Sequence, residues 1–379
     1  MTHTPAYDPR SVAVRQLTAA VCARAEQIEA GRRLPPDLAR AMAEAGLFRM
    51  CVPHTFGGRE AEPTALLETI ESMATADGAA GWCLMIGATT GLLAGFLPEE
   101  VAREIYADPL VITGGVFAPK GTAAVVDGGY RVTGRWPFAS GCQHCDWLTG
   151  GCMVDDGSGP RLLFFPASDV EVVDSWKVSG LAGTGSHDFA VADVFVPAGR
   201  EVALGVTPPT EAGPLYRFPV FGLLALGVAA VALGIARAAV AELTRLAGEK
   251  TPTHAARRLG ERSATQAQLA RAAAALHAAR SGLFTAVEDA WAQATSLPDV
   301  GTDQRVALRL AATHTTRTAA DVVDAMYELG GGTSIYASSP LQRHFRDIHV
   351  VTQHVMVAPA TYELAGRLLL GVPADTTML

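Results

Sequence analysis

The stretch Trp176-Lys-Val-Ser-Gly-Leu-Ala-Gly-Thr-Gly-Ser-His-Asp188 joins two β-rich segments of the chain. A loop rich in Gly, Ser and Thr can bring several backbone N–H groups close to a phosphate or to the edge of a heteroaromatic ring. Thr184, Ser186 and His187 add side-chain donors to this loop. The same residues are equally compatible with an ordinary hairpin loop.

The chain around this loop, residues 111–205, consists of short β-rich runs that are separated by glycine turns. Parallel neighbouring strands usually require long crossover connections, most often helices, and no helical pattern occurs between these runs. We therefore predict a middle β-domain over residues 111–205, folded as an antiparallel barrel or sandwich.

Helical patterns lie on both sides of the β-rich region. Residues 1–110 predict an N-terminal helical domain, in which the first helix runs from Ser11 to Ala30 and residues 81–96 are apolar on nearly all sides. Residues 215–379 predict a C-terminal four-helix bundle. Its Ala-rich segments are 221–248, 255–296, 302–329 and 340–370. The expected fold class is α+β, with a β-domain between two helical domains.

The composition argues against several classes of partner. Of the 379 residues, 49% are hydrophobic and 18% are charged, which is enough apolar material for a large core. A net charge of −8 without a long basic run argues against nucleic acid and anionic membranes. The uncharged stretch 218–236 contains Pro219 and three glycines, which favours a buried helix over a membrane span. No signal-peptide pattern is present at the N-terminus, so we expect a cytoplasmic protein.

A second polar loop, Gly134-Arg-Trp-Pro-Phe-Ala-Ser-Gly-Cys-Gln-His-Cys-Asp-Trp147, also lies between predicted strands. Trp136 and Phe138 offer flat apolar surfaces, and Ser140 could hydrogen-bond a heteroaromatic ring. The pair Cys142-x-x-Cys145 has the spacing of zinc ligands but lacks the second pair that a tetrahedral site needs. We therefore expect packed cysteines and no metal.

A third polar segment, Glu328-Leu-Gly-Gly-Gly-Thr-Ser-Ile-Tyr336, lies between two predicted helices. Gly331 and Gly332 would let a phosphate or pyrophosphate approach the backbone. On the next predicted helix, Asp347 and His354 should share one face. His354 alone is equally consistent with a histidine that is satisfied within the core.

Together these segments resemble the acyl-CoA dehydrogenase family, and within it the two-component flavin-dependent monooxygenases. The resemblance spans nearly the whole chain and depends on several motifs in combination. The motifs are Val52-Pro-x-x-x-Phe-Gly-Gly58, Ala76-Asp-Gly-Ala-Ala-Gly-Trp82, Trp136-Pro-Phe-Ala-Ser-Gly141, Gly180-Leu-Ala-Gly-Thr-Gly-Ser-His-Asp188 with Val194-Phe-Val-Pro197, and Arg343-x-x-Arg-Asp347 ahead of His354.

The acid–base residues distinguish the branches of that family. A dehydrogenase needs a carboxylate to remove the α-proton of a thioester, and residues 350–358, where many members carry it, contain no acid. Glu242 and Glu363 remain as possible bases elsewhere. The resemblance to the monooxygenases implies a histidine where His354 stands. It therefore favours a monooxygenase that accepts reduced FMN or FAD from a separate flavin reductase and reacts it with O2. A dehydrogenase or oxidase, and a non-catalytic scaffold, are the alternatives.

The resemblance also implies roles for individual residues. His354 would handle protons and Ser140 would lie near the flavin N5 nitrogen as the second catalytic residue. The implied flavin contacts are Trp136, Phe138, Ser140, Thr184, Ser186, His187, Gly331, Gly332 and Arg346. The implied substrate contacts are Trp82, Thr89 and Thr90, on a helix whose small apolar face suits a hydrophobic substrate of the aromatic or polycyclic class. A homotetramer is expected.

Overall fold

The computed structural model describes residues 12–379, so the expected helix start at Ser11 lies outside the described residues. The described chain runs from helices through one β-sheet to further helices, which confirms the predicted α+β class and the order of its segments. It packs into two compact units. The first comprises residues 12–66, 82–178 and 182–217, and the second comprises residues 67–81, 179–181 and 218–379.

Six α-helices precede the sheet: α1 (Val12–Ala23), α2 (Ala25–Gly31), α3 (Pro36–Glu44), α4 (Pro63–Ala76), α5 (Gly78–Thr90) and α6 (Glu99–Ile105). The helix predicted as far as Ala30 is divided, because Arg24 leaves helical geometry with φ −114° and ψ 14°. α5 and the 3-10 turn that follows it, Gly91–Phe96, are almost entirely buried, as their apolar sequence predicted.

The sheet has seven strands: β1 (Thr113–Val126), β2 (Gly129–Ala139), β3 (Trp147–Val154), β4 (Pro160–Pro166), β5 (Glu171–Val173), β6 (His187–Pro197) and β7 (Glu201–Val202). Their order across the sheet is β5-β6-β2-β1-β3-β4-β7. The prediction of a wholly antiparallel domain is wrong, because β1 and β3 are parallel and the sheet is mixed.

The parallel pair arises without a helical crossover. β2 and β3 lie on opposite sides of β1, and β2 runs antiparallel to β1. A short loop therefore carries the chain past the start of β1, where the Asp146 N–H donates to the Ile112 carbonyl at 2.8 Å and the Ile112 N–H donates to Asp146 Oδ2 at 2.9 Å. β3 then runs alongside β1 in the same direction. The rule that parallel pairs need long connections applies to consecutive strands, and these strands are not consecutive.

The interior of the sheet is built around Trp136. Its indole stacks on Phe189 with 4.6 Å between ring centroids, and its Nε1–H donates to the Gly151 carbonyl at 2.7 Å. Gly121, Gly134 and Gly150 adjoin the indole, and a Cβ atom on any of them would clash with it. The glycines in these strands are therefore required by the size of one buried side chain.

Five helices follow the sheet: α7 (Val220–Glu249), α8 (Ser263–Ser296), α9 (Thr302–Gly330), α10 (Pro340–Val351) and α11 (Ala360–Leu369). α7 and α4 approach closely, since a Cβ atom on Gly234 would lie 2.5 Å from the Ala74 side chain. The uncharged stretch 218–236 is the buried start of α7, as predicted.

The fourth predicted helix of this region, residues 340–370, is divided into α10 and α11. Pro359 restricts the residue before it to extended geometry, and Ala358 has ψ 150°. α10 already ends at Val351, and residues 352–358 form a loop with one 3-10 turn. The expected common helix face of Asp347 and His354 does not exist, because His354 lies in this loop.

Two helical segments, Gly78–Phe96 and Val220–Glu249, are long and apolar enough to cross a membrane by composition. Within the protein, 94% and 78% of their most apolar windows are buried. Burial accounts for their composition without a membrane.

Candidate active site

A chain of hydrogen-bonded hydroxyl groups lies at the ends of β2 and β6 in the first unit. The Trp82 Nε1–H donates to Ser140 Oγ at 2.9 Å. Ser140 Oγ is 2.7 Å from Ser186 Oγ, which is 2.6 Å from Thr184 Oγ1. All four side chains are buried. We call Trp82, Ser140, Ser186 and Thr184 the hydroxyl chain, and it brings the two polar loops of the sequence together.

The donor at one end limits the direction of these hydrogen bonds. An indole N–H can only donate, so Ser140 Oγ accepts from Trp82. When Thr184 donates to Ser186 and Ser186 donates to Ser140, the hydrogen of the Ser140 hydroxyl is directed to an acceptor outside the chain. Ser140 can therefore serve as a buried, oriented hydrogen-bond donor.

Backbone and thiol contacts hold the two loops together. The Gly141 N–H donates to the Thr184 carbonyl at 2.8 Å, and the Cys83 thiol lies 3.6 Å from the same oxygen. The Cys142 thiol donates to the Gly185 carbonyl at 3.5 Å, and that of Cys145 donates to the Gly141 carbonyl at 3.3 Å. Burial raises the pKa of Cys142 to about 12, so the thiol remains a donor at neutral pH. These cysteines fix loop geometry.

Phe138 is the exposed aromatic residue beside the hydroxyl chain in sequence. Its ring is 68% exposed and meets Trp176 edge-on, with 6.1 Å between centroids. Its backbone has φ +67°, a strained conformation for a residue with a side chain. An exposed ring held in a strained turn is a candidate contact for a planar ligand, and the strain is not visible in the sequence.

His187, a predicted flavin contact, is hydrogen-bonded within the first unit. Its buried Nδ1 accepts the Trp176 N–H at 3.2 Å, so this nitrogen carries no proton. Burial lowers the pKa of His187, and the ring is neutral although Asp174 lies 3.4 Å away. Asp174 instead pairs with Arg32, which also donates to the Trp176 carbonyl at 2.9 Å. His187 and Arg32 hold Trp176, Asp174 pairs with Arg32, and neither Arg32 nor Asp174 was singled out from the sequence.

Three other predicted contacts face the protein interior. Trp136 was expected to contact a flavin, but its ring is fully buried within the sheet, which gives it a packing role. Thr89 and Thr90 were expected to contact a substrate. Their buried hydroxyls donate to the carbonyls of Met85 and Ile86, at 2.7 and 2.8 Å. These bonds engage the hydroxyl hydrogens of both residues.

His354, in the second unit, begins the 3-10 turn between α10 and α11. Its Nδ1 accepts the Met356 N–H at 3.3 Å. Burial, with a smaller effect of the Arg309 charge, lowers the pKa of His354 to about 4. The ring is therefore neutral at pH 7. Because Nδ1 is the acceptor, the neutral ring carries its proton on Nε2.

The Arg-Asp motif of α10 anchors the segment 179–181 of the same unit. Asp347 Oδ1 accepts the Leu181 N–H at 2.6 Å, and Arg346 Nη1 donates to the Ser179 carbonyl at 2.6 Å. Gly180 lies so close to α10 that a Cβ atom would clash with its backbone. Arg346, expected at a phosphate, thus has at least one donor engaged by backbone.

Gly331 and Gly332 form an exposed turn at the end of α9, and Gly331 has φ +56°. Lys250 Nζ donates to the Gly330 carbonyl at 2.6 Å. Lys250 was not singled out from the sequence. It places a positive charge beside the predicted phosphate contact, where it also satisfies a carbonyl at the helix end.

The first unit's residues fit a flavin ring. A flavin edge offers nitrogen and oxygen atoms that accept hydrogen bonds, and Ser140 can supply an oriented donor to one of them. Phe138 supplies exposed aromatic surface close by in sequence. Thiol and backbone contacts keep the two loops in place, so the donor is oriented before a ligand arrives.

Comparisons with known proteins agree with this chemistry. Residues 11–105 match the family model "Acyl-CoA dehydrogenase, N-terminal domain", and residues 226–359 match "Acyl-CoA dehydrogenase, C-terminal domain". Indole-3-acetate monooxygenase of Pseudomonas putida is 36% identical over 354 residues, which cover 92% of this chain and 90% of that protein.

Two further relatives extend the comparison. The flavin-dependent monooxygenase oxygenase subunit HsaA of Rhodococcus jostii is 29% identical over 94% of this chain and 97% of its own length. The structure of XiaF from Streptomyces in complex with FADH2 and glycerol superposes with a TM-score of 0.87 at 27% identity, and covers 95% of this chain and 94% of that one.

Proposed function

The chain belongs to the acyl-CoA dehydrogenase family, in its branch of two-component flavin-dependent monooxygenases, and from this premise we propose how its residues act. It is an oxidoreductase that uses flavin. We propose that it takes reduced FMN or FAD from a separate flavin reductase and inserts one atom of O2 into a hydrophobic aromatic or polycyclic substrate.

The hydroxyl chain is the observation that carries this proposal. A reduced flavin, when bound, supplies the electrons that activate O2. Ser140 would donate its hydroxyl hydrogen to the edge of the flavin ring near N5. Trp82, Ser186 and Thr184 would keep that hydroxyl oriented before the ligand arrives, so that little reorganisation is needed. Phe138 would cover the ring and keep water away from it.

His354 is proposed as the residue that handles protons. A neutral imidazole whose Nδ1 accepts the Met356 N–H can donate a hydrogen bond through Nε2, so His354 would orient a proton toward an acceptor at pH 7. Its low pKa means that it does not carry a full positive charge while it does so. Gly331, Gly332 and Arg346, now with Lys250, remain the proposed contacts for the flavin phosphate.

The two carboxylates that could serve a dehydrogenase are poorly suited to that role. Glu242 pairs with Arg245 at 2.7 Å on the same helix, and Glu363 is exposed on α11. Neither carboxylate is buried, whereas a base that removes a weakly acidic proton is usually held in a desolvated site. A monooxygenase needs no such base, so the structure gives no specific support to the dehydrogenase alternative or to the scaffold alternative.

Two observations support the proposed substrate class, one from a relative and one from the helix α5. The relative from Pseudomonas putida is named for indole-3-acetate, an aromatic acid. Thr89 and Thr90 turn their hydroxyls into their own helix, so that a substrate on that helix would meet apolar atoms. We propose a hydrophobic aromatic substrate, a homotetrameric assembly and a cytoplasmic location, with the reductase as the protein partner.

A coupled assay tests this function. The protein is mixed with photoreduced FMN or FAD, O2 and a panel of aromatic compounds that includes indole-3-acetate, and product is counted per flavin oxidised. We expect an oxygenated product with at least one compound, and His354→Ala should oxidise flavin without forming it. Reduction of an artificial acceptor by an acyl-CoA thioester, with no oxygenated product, would instead identify a dehydrogenase.

A further inference from the structure

One side of α9 carries a regular row of polar residues. Arg305, Arg309, Thr313 and Arg317 follow one another at intervals of four residues, so their side chains lie along one stripe of the helix. Arg305, Arg309 and Arg317 each donate a hydrogen bond to a main-chain oxygen outside α9. The guanidinium groups of these arginines therefore hold other segments of the backbone against α9.

Two of these arginines bracket His354. Arg309 Nη2 donates to the Met356 carbonyl at 3.1 Å, and Arg317 Nη2 donates to the Thr352 carbonyl at 3.0 Å. These carbonyls lie on either side of His354, two residues away in each direction. Hydrogen bonds from charged donors are stronger than those between neutral groups. The loop 352–356 is therefore held to α9 at both of its ends.

We propose that Arg309 and Arg317 are positioning residues that hold the loop 352–356 against α9 and so fix the place and tautomer of His354. This inference deepens the proposed function and rests on the proton-handling role proposed there for His354. Neither arginine needs to touch flavin or substrate, because both act through the loop.

The cost of burying Arg309 supports a specific role. Arg309 is only 5% exposed, and its Nε has no hydrogen-bond partner among the residues that the structure describes. Arg305 and Arg317 have the same unpaired Nε, and Arg309 also donates through Nη1 to the Met378 carbonyl. A buried donor without a partner is destabilising, so an arginine that served packing alone would be replaced at little loss by an apolar residue.

Besides the packing of Met356 and Val357, which are buried, the loop is held by its own hydrogen bonds. Its own bonds are short-range: the His354 N–H donates to the Val351 carbonyl at 3.2 Å, and the Val357 N–H donates to the His354 carbonyl at 3.1 Å. The bond from the Met356 N–H to His354 Nδ1 fixes the tautomer only while the turn stays closed. Arg309 donates to the carbonyl of Met356 itself, and so restrains the residue on which that bond depends.

Arg305 provides a matched control within the same row. It donates to the Leu379 carbonyl at 2.8 Å, which is not part of the loop 352–356. The test therefore compares Arg309→Met and Arg317→Met with Arg305→Met. Hydrogen exchange at the amides of residues 354–357 is measured in flavin-free protein, together with the imidazole ¹⁵N chemical shifts of His354. Product per flavin oxidised is then measured in the coupled assay.

We expect amide protection in the loop to fall about tenfold in Arg309→Met and less in Arg317→Met, in line with the loss of one charge-assisted hydrogen bond. The ¹⁵N shifts of His354 should move toward a mixture of tautomers, and product yield should fall severalfold. Arg305→Met should leave all three unchanged. Arg309→Lys, which keeps the charge and one donor, should restore part of the protection and covers the case in which Arg309→Met does not fold.

Two results would overturn the inference. Unchanged protection and ¹⁵N shifts in both methionine variants would show that the arginines do not hold the loop. Unchanged product yield in Arg309→Met, while His354→Ala loses product, would show that they do not position His354 for the reaction. If His354→Ala also keeps full yield, the proposed role of His354 fails, and the exchange data still decide whether the arginines hold the loop.

Discussion

The hydroxyl chain orients the side chain of Ser140, and the loop 352–356 orients the side chain of His354. The two regions do so through different kinds of contact. Around Ser140 every group is neutral and buried, and the hydrogen bonds run between side chains of α5 and of two adjoining loops. Around His354 the restraint comes from long, charged side chains of a helix that reach backbone carbonyls. The hydroxyl chain depends on close packing, whereas the loop 352–356 depends on hydrogen bonds from the arginines of α9. Substitutions should therefore affect the two regions in different ways.

The largest expected effect concerns the packing beneath the hydroxyl chain. Trp136→Ala should lower the free energy of unfolding by about 3–5 kcal/mol, because it removes a fully buried indole that three glycines have made room for. Urea unfolding followed by circular dichroism measures this. Phe195→Ala, at a residue 43% exposed, is the control and should change stability by less than about 1 kcal/mol. Equal losses of unfolding free energy in Trp136→Ala and Phe195→Ala would contradict a special role for the packing around Trp136.

The next largest effect is expected from a substitution in the middle of the hydroxyl chain. Ser186→Ala should cost about 1–3 kcal/mol of unfolding free energy and weaken flavin binding, since it leaves the buried hydroxyl of Ser140 with one partner fewer. Thermal unfolding and anaerobic flavin titration measure the two losses. Ser168→Ala, at an exposed position, is the matched control. A variant that binds flavin as tightly as the parent would show that the orientation of Ser140 does not matter.

The contribution of His354 to the stability of the protein should depend on pH. The pKa of His354 is about 4 in the folded protein and near 6.5 in the unfolded chain, so the unfolded chain takes up a proton that the folded one does not. His354 therefore favours unfolding as pH falls from about 6.5 toward 4. The stability of His354→Asn should fall less over that window than that of the parent protein. Parallel pH dependences would contradict the assigned neutral state, and NMR titration of His354 gives an independent value.

The smallest expected effect on stability concerns the exposed ring beside the hydroxyl chain. Phe138→Gly relieves a backbone with φ +67°, so stability should stay constant or rise by up to about 1 kcal/mol. Flavin affinity should nevertheless fall, because an exposed aromatic surface is lost. Calorimetry of unfolding and flavin titration separate these two effects. A loss of stability together with unchanged affinity would assign Phe138 to folding rather than to binding.

The two regions also differ in how far the sequence predicted them. Ser140, Thr184 and Ser186 stand in motifs rich in Gly and Ser, and such loops between strands are visible in the sequence. The order of helices, strands and helices was predicted for the same reason, since periodicity and turn residues are local signals. His354 was identified through family resemblance, yet the helix assigned to it was wrong, because α10 ends at Val351 and the chain continues as a loop.

What the sequence did not predict depends on contacts between distant residues. Arg309 meets the Met356 carbonyl 47 residues along the chain, and Arg32 meets Asp174 at a separation of 142 residues. The parallel pairing of β1 and β3 likewise depends on which side of β1 the chain takes after β2. The burial of Trp136 follows from the sheet interior that it shares with Phe189. The four-residue spacing of Arg305, Arg309 and Arg317 was the one local signal that was missed.

The central claim is that Ser140 and its neighbours are arranged for a reduced flavin that arrives from another protein. The most direct test is an anaerobic titration of the purified protein with oxidised and with reduced FMN and FAD, in the parent protein and in Ser140→Ala. The account predicts tighter binding of a reduced flavin than of its oxidised form, and a smaller preference in the variant. Tight binding of oxidised FAD, with no preference for the reduced form and no change in Ser140→Ala, would contradict it.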